Sequence, residues 1–276
     1  GSWTIDIPLS PSLYPPGLYT AEIAGFRRTE RVAGGKVTFL VVDDSRLSGH
    51  PRLWFNRNET DGFIAKVKRE KNAPYLNKLR EEAKTARERQ SPDLPYDIDT
   101  FPVVGWLKSF EPYRHRIATM PQAAFNNAVS WTVDNDPAAA EFARKILLSL
   151  CAWPTWTHPW MVERGHQIYL YQWYTAWNLA LVYDLIHDRL TAAERRTVRA
   201  AFERNLLKPA YRTYLEMDQC TCNESNWIAA VAGGAITAAC AVLGDEGDSN
   251  ALEPYLTGCF YKLRAHVDVA FGGDSA

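Results

Sequence analysis

The sequence predicts a mainly α-helical protein, an incomplete (α/α) toroid of helical hairpins behind a small N-terminal β segment. Three observations predict it. β-type patterning is confined to residues 1–47, and apolar residues at three- and four-residue spacing dominate residues 48–276. Within the second region, helices that are apolar all round alternate with amphipathic ones at a repeat of about fifty residues. A helix apolar on every side has to be buried, whereas an amphipathic one keeps a flank in water. The alternation therefore describes inner and outer helices of an arc.

In chain order, Leu18 to Ile23 and Lys36 to Val42 are rich in β-branched and aromatic residues, and Ala33-Gly34-Gly35 supplies a turn between them. Two or three strands cannot bury a core alone. Residues 1–47 are thus an appendage or the tail of a β-sandwich. After His50-Pro51 the period becomes helical. Thr60 opens a short helix through Phe63, Ile64 and Val67, and a second one after Pro74 carries Leu76, Leu79, Ala83 and Ala86. Gln90 to Pro121, interrupted by Pro92, Pro95, Pro102 and Pro112, reads as a long irregular connection.

Three hairpins follow. Ala124, Phe125, Ala128 and Val129 mark one helix, and Asp136-Pro137 caps its partner through Ala143, Ile146, Leu147 and Leu150. Gln167 to His187 is apolar almost all round. Thr191 to Glu194 is a capping box that opens an amphipathic helix with Val198, Ala201 and Phe202 on one face. Asn226 to Leu243 is built of small residues that permit close backbone approach, and its partner aligns Leu252, Leu256, Cys259, Leu263 and Val267. The chain stops just after that helix without a polar cap, so the fold is expected to continue past Ala276.

The bulk numbers narrow the function. With 31 Lys+Arg against 32 Asp+Glu the net charge is -1, so no sustained field exists to gather nucleic acid or an anionic membrane. No apolar run is long enough to span a bilayer, and the N-terminus lacks a signal-peptide pattern. Ten Trp and 13 Tyr, many bunched between Trp153 and Trp177, either line a sugar groove or fill a core. Five Cys without a C-x-x-C pair exclude a cysteine framework, leaving room for one disulfide among the last four.

Four stretches carry a resemblance. His50-Pro51-Arg52-Leu53-Trp54-Phe55, Trp153 to Trp160, Tyr183 to Thr191, and Asn226-Trp227 followed by Ala232-Gly233-Gly234 are similar to the helical region of heparinase II/III-like bacterial polysaccharide lyases. The similarity covers roughly residues 50 to 276. It implies a toroid followed by a C-terminal β domain, an acidic polysaccharide or oligosaccharide held between them, no cofactor, and a periplasmic or secreted location. It also implies a Tyr, shortly after an Asp-Gly segment resembling Phe271 to Asp274, as the proton-transfer group. That Tyr would lie past Ala276, so this chain alone should be inactive.

A uronate lyase removes the proton at C5 and expels the 4-linked sugar, which puts extra negative charge on the substrate carboxylate. Removing one preorganised donor from such a charge typically costs about 2.7 to 4 kcal/mol. Asn223 and Asn226, three apart at a helix start, are the expected catalytic donors, although each reads equally well as a helix cap. Glu224 stands where several relatives carry His, and would act as a general acid in a hydrolase-like variant or mark a lost active site. Trp227, His158, Trp160, Arg164, His166, Trp173 and Tyr174 are the expected substrate contacts, since a guanidinium forks onto carboxylate and rings stack on sugar C–H groups. For His166 a packed or capping role competes. Arg114, His115 and Arg116 form a further basic spot or a solvated run. Neither His158 with His166 nor Cys220 with Cys222 has metal-ligand spacing, so no metal is expected. A glycan-binding toroid without activity and an (α/α)-toroid glycoside hydrolase remain as alternatives.

Overall fold

The computed structural model describes residues 17–27, 30–41, 49–96, 111–213, 226–245, 247 and 249–271. The chain divides into two compact units, Gly1–Arg46 and Leu47–Ala276. The first holds an antiparallel hairpin of β1 (Gly17–Arg27) and β2 (Glu30–Val41). Arg27 pairs with Glu30, so the reversal falls between them, and Gly34 and Gly35 lie inside β2 opposite Ala24 and Ile23. The turn expected at Ala33-Gly34-Gly35 is therefore corrected. Pairing register, not the glycine pair, sets the hairpin, and the irregularity a strand glycine often marks falls at Gly25/Phe26.

The second unit is mainly helical. Its described α-helices are α1 (Thr60–Val67), α2 (Ala73–Arg89), α3 (Met120–Asp134), α4 (Pro137–Cys151), α5 (Pro159–Val162), α6 (Gln172–Leu185), α7 (Ala192–Phe202), α8 (Lys208–Tyr211), α9 (Asn226–Val242) and α10 (Glu253–Phe271). Two of the predicted start signals are in place, whereas Thr60 is the first residue of α1 rather than its cap and its hydroxyl donates to the Arg57 carbonyl. The Asp136 carboxylate accepts from the N–H groups of Ala138 and Ala139 at 3.0 and 3.2 Å, and Thr191 with Glu194 forms a reciprocal capping box.

Helices α2, α3, α6 and α9 pack in succession, each on the next. Behind them α4 lies on α3, α10 lies on α9, and α7 touches α4. The core runs between the two rows, through Ile146, Leu147, Leu179, Phe202 and Val231. Gly234 is where small residues matter most: a Cβ there would meet the Trp173 Cα at 3.2 Å, so α9 and α6 touch almost backbone to backbone. Trp153 and Trp156 are core residues whose indole N–H groups donate to the carbonyls of Leu94 and Leu150. Val267 is exposed, and its neighbour His266 is buried in its place.

Of the expected irregular connection, residues 90–96 carry no helix or strand, residues 97–110 lie outside the described residues, and the end is corrected. Residues 111–121 are helical, with a π turn over His115–Thr119 leading into α3, and a second π turn over Glu203–Leu207 leads into α8. Each is followed by a proline in the first helical turn, Pro121 and Pro209. A proline has no N–H for the carbonyl four residues back. Here those carbonyls belong to Ile117 and Asn205, and both are taken by α6: Thr175 Oγ1 donates to Ile117 and Gln172 Nε2 donates to Asn205. These prolines join helices rather than break them, because a second element satisfies the released acceptors.

Candidate functional site

The same anchoring places an aromatic run at the entry to α6. Besides Asn205, Gln172 Nε2 donates to Thr157 Oγ1 at 2.8 Å, while Gln172 Oε1 accepts the Tyr169 N–H at 2.6 Å. With Gln172 fixed, Tyr171 and Tyr174 fall on one face, three residues apart. Their rings stack at 5.6 Å. Tyr171 also meets Tyr169 at 5.6 Å, Tyr169 meets Trp227 of α9 edge-on at 5.6 Å, and Trp173 backs Tyr174 at 4.0 Å. A ladder of rings thus leads from the start of α9 to a cavity of about 670 Å³ between α2, α3 and α6.

Tyr171 and Tyr174 form one wall of that cavity. The rest of its lining includes Glu81 and Glu82 from α2 and Gln122 and Asn126 from α3, with Arg114 near the π turn. The polar groups order one another: Gln122 Nε2 donates to Asn126 Oδ1 at 3.1 Å, Asn126 Nδ2 donates to Glu82 on α2 at 3.1 Å, and Arg114 pairs with Glu111 at 2.9 Å. Ring faces beside amides and a carboxylate suit a polyhydroxylated ligand, which offers C–H surface on its ring faces and hydroxyls at its rim.

The predicted site residues divide between this ladder and other places. Trp227, Trp173 and Tyr174 belong to the ladder. Asn226 is the first residue of α9, while Asn223 and Glu224 lie outside the described residues. His158 is fully buried; its Nδ1 caps α5 by accepting the Trp160 N–H at 3.0 Å, and its ring packs edge-on against Tyr113. That capping role in the core departs from the expected sugar contact. Arg164 lies over the Trp160 ring at 3.7 Å and donates to the Trp160 carbonyl, so the two engage each other. His166 is half-buried, and its backbone N–H donates to Met161. Of the basic run, Arg114 reaches the cavity, Arg116 donates to the Pro95 carbonyl and His115 is exposed. Sequence reasoning missed Tyr171, Gln122 and Asn126. For the two amides the available signal was their four-residue spacing on one face of α3.

A second polar cluster was not foreseen. The motifs at His50 and Tyr183 meet: His50 Nδ1 lies 2.6 Å from Asp184 and its Nε2 3.0 Å from Asp245. Asp184 also accepts the N–H groups of Arg52 and Leu53, and Asp245 accepts from Tyr183 OH at 2.6 Å and from Arg52 at 3.2 Å. Burial would lower the His50 pKa, but the hydrogen bonds to the two carboxylates outweigh it and raise it. The His187 ring stacks on His50 at 3.8 Å, and its pKa is lowered by burial and by the neighbouring imidazolium. Burial works against the Asp245 charge too, yet His50 and Tyr183 bring its pKa down to about 2.

Donor atoms of His50, His187 and Asp245 lie within 4.8 Å of one another. They do not form a good metal site. Two imidazoles stacked 12° from parallel send their lone pairs side by side instead of toward one point, and the Asp245 oxygens are already engaged by Tyr183 and Arg52. The cluster is a structural tie joining the segment after Gly49 to the ends of α6 and α9. Among the described residues, Cys151, Cys240 and Cys259 are free thiols, and no helix is long and apolar enough to cross a membrane.

No family model and no curated protein matches this chain.

Proposed function

We propose that this chain is the sugar-binding helical part of a polysaccharide lyase resembling the heparinase II/III type, exported to the periplasm or beyond, which cleaves uronate-containing glycans by β-elimination. The observation that carries the proposal is the ring ladder from Trp227 to Tyr174, which ends beside the cavity at one end and at the start of α9 at the other. Two packed rows of helices are what an open (α/α) toroid requires, and its concave side would hold the glycan. The N-terminus of a 17-residue helix carries partial positive charge. Asn226 there, with Asn223 before it, would meet the uronate carboxylate as its charge grows, while the ladder holds the neighbouring sugars in line. Proton transfer falls to a tyrosine expected in a following β domain.

The test uses the full-length protein and uronate polymers. Elimination produces an unsaturated sugar with a new ultraviolet absorbance, which should appear with the whole protein and vanish in Asn226→Ala. Reducing ends without that absorbance would replace the lyase by a hydrolase. Residues 1–276 alone should bind glycan without turnover. The ladder also suits a non-catalytic glycan-binding module, and binding by the whole protein with neither product would favour that second reading.

A further inference from the structure

The charges around the cavity do not match an acidic sugar. Its described lining carries two carboxylates, Glu81 and Glu82, against one guanidinium, Arg114. Arg114 is shared with Glu111, an exposed pair (44% and 66%) that offsets its charge without removing it from a ligand's reach. Its Nη2 and Nε lie 2.9 and 3.1 Å from Glu111 Oε2, a pair closed within one helical turn. Lys78 approaches Glu82 at 3.9 Å, but its side chain is 76% exposed, so its charge is largely given to water. Glu82 in turn is tied to the cavity wall through Asn126, which is 8% exposed and holds the carboxylate at 3.1 Å. The same cavity is lined by the stacked rings of Tyr171 and Tyr174, the latter 39% exposed.

We propose that this cavity is a subsite for a sugar ring without an acid group, preferring a protonated amino sugar over a neutral one and rejecting a uronate, with Glu81 and Glu82 setting that preference. A ring stacked on Tyr171 and Tyr174 would direct its equatorial substituents toward α2 and α3. A hydroxyl there finds the amides of Gln122 and Asn126, and an ammonium gains the carboxylates as well as the tyrosine faces. A carboxylate or sulfate in the same place meets like charge with no unengaged cation in the described wall to offset it. The inference rests on the sugar-binding part of the proposed function and is independent of elimination. It implies that a bound glycan presents its acid group at the α9 end and a different kind of unit here.

The test is calorimetric titration of the 276-residue chain with tetramers of glucosamine, of glucose and of galacturonate, at slightly acid pH and low salt. The cavity's share of each affinity is the loss caused by Tyr174→Ala. That loss should be largest for the glucosamine tetramer, about tenfold, smaller for glucose and absent for galacturonate. In the Glu81→Gln/Glu82→Gln variant, both positions being exposed, the advantage of glucosamine over glucose should fall to within about twofold. Raised salt should compress it in the same direction. A galacturonate affinity that depends on Tyr174, a preference unchanged in the double glutamine variant, or no binding by any tetramer would each overturn the proposal. The lyase reading stands or falls separately, on the unsaturated product formed by the full-length protein.

Discussion

The buried tie around His50 and the cavity beside Tyr174 use similar polar side chains in opposite ways. In the tie, partners come from far along the chain: His50 reaches Asp184 across 134 positions and Asp245 across 195. In the cavity Gln122 with Asn126 and Arg114 with Glu111 pair within one helical turn, and Asn126 reaches Glu82 across 44 positions. Long-range pairing of buried charge fixes one arrangement of the fold, since a broken pair leaves a charge without water or partner. Pairing around the cavity orders side chains beside the rings of Tyr171 and Tyr174. The first pattern marks a joint, and the second would suit a recognition surface.

The strongest way to break this contrast is Asp184→Ala. It would strip acceptors from His50 and from two backbone N–H groups at once, and should lower unfolding free energy by about 3–5 kcal/mol in denaturant titrations. Loss below about 1 kcal/mol would reduce the tie to an ordinary surface pair. Gly234→Ala should come next, costing about 1–3 kcal/mol in thermal unfolding, because the new methyl group would push on the Trp173 backbone. It should also weaken glycan binding, since Trp173 backs Tyr174.

A subtler test separates the two stacked histidines by pH. The His50 pKa is raised, so its contribution is fully present below the ordinary imidazole value of 6.5 and is lost as pH rises through the folded value. The His187 pKa is lowered, so it favours folding above 6.5 and withdraws that support as pH falls toward its folded value. Stability should therefore peak near pH 6.5. In His187→Gln the decline just below that pH should disappear, while the decline above it stays. An unchanged acid limb in chemical unfolding would show that His187 takes no part. Asp245 shapes the profile only in acid: its support is fully present above 3.8 and fades as pH falls toward about 2. The smallest stability effect belongs to Tyr174→Ala, within about 0.5 kcal/mol, as for an exposed side chain. A marked fall in melting temperature would make the tyrosine a packing residue instead of a ligand contact.

Much of the helical layout was legible in the sequence because its signals are local. Asp136 and Thr191 announced their helices by side chains that reach only two or three residues, and the small residues around Gly234 announced a close approach. Signals that depend on a partner were not legible. Gly34 and Gly35 looked like a turn because strand register is decided by pairing. The approach to Pro121 looked irregular because the hydroxyl that relieves Ile117 comes from Thr175, 58 residues away. The site was half readable for the same reason. Trp173, Tyr174 and Trp227 stood out as rings, whereas His158 gave no sign that its imidazole caps its own short helix. The His50 and Tyr183 motifs were visible separately, and only folding brings them face to face.

The acceptors left over by Pro121 and Pro209 have one more consequence. Gln172 and Thr175 sit one turn apart on α6 and fill both, so α6 can engage its neighbours at a single height and rotation, as a key with two teeth seats in one position. Tyr171 and Tyr174 ride on that key. The spacing of the rings that would grip a ligand is thus tied to two imino acids on other helices.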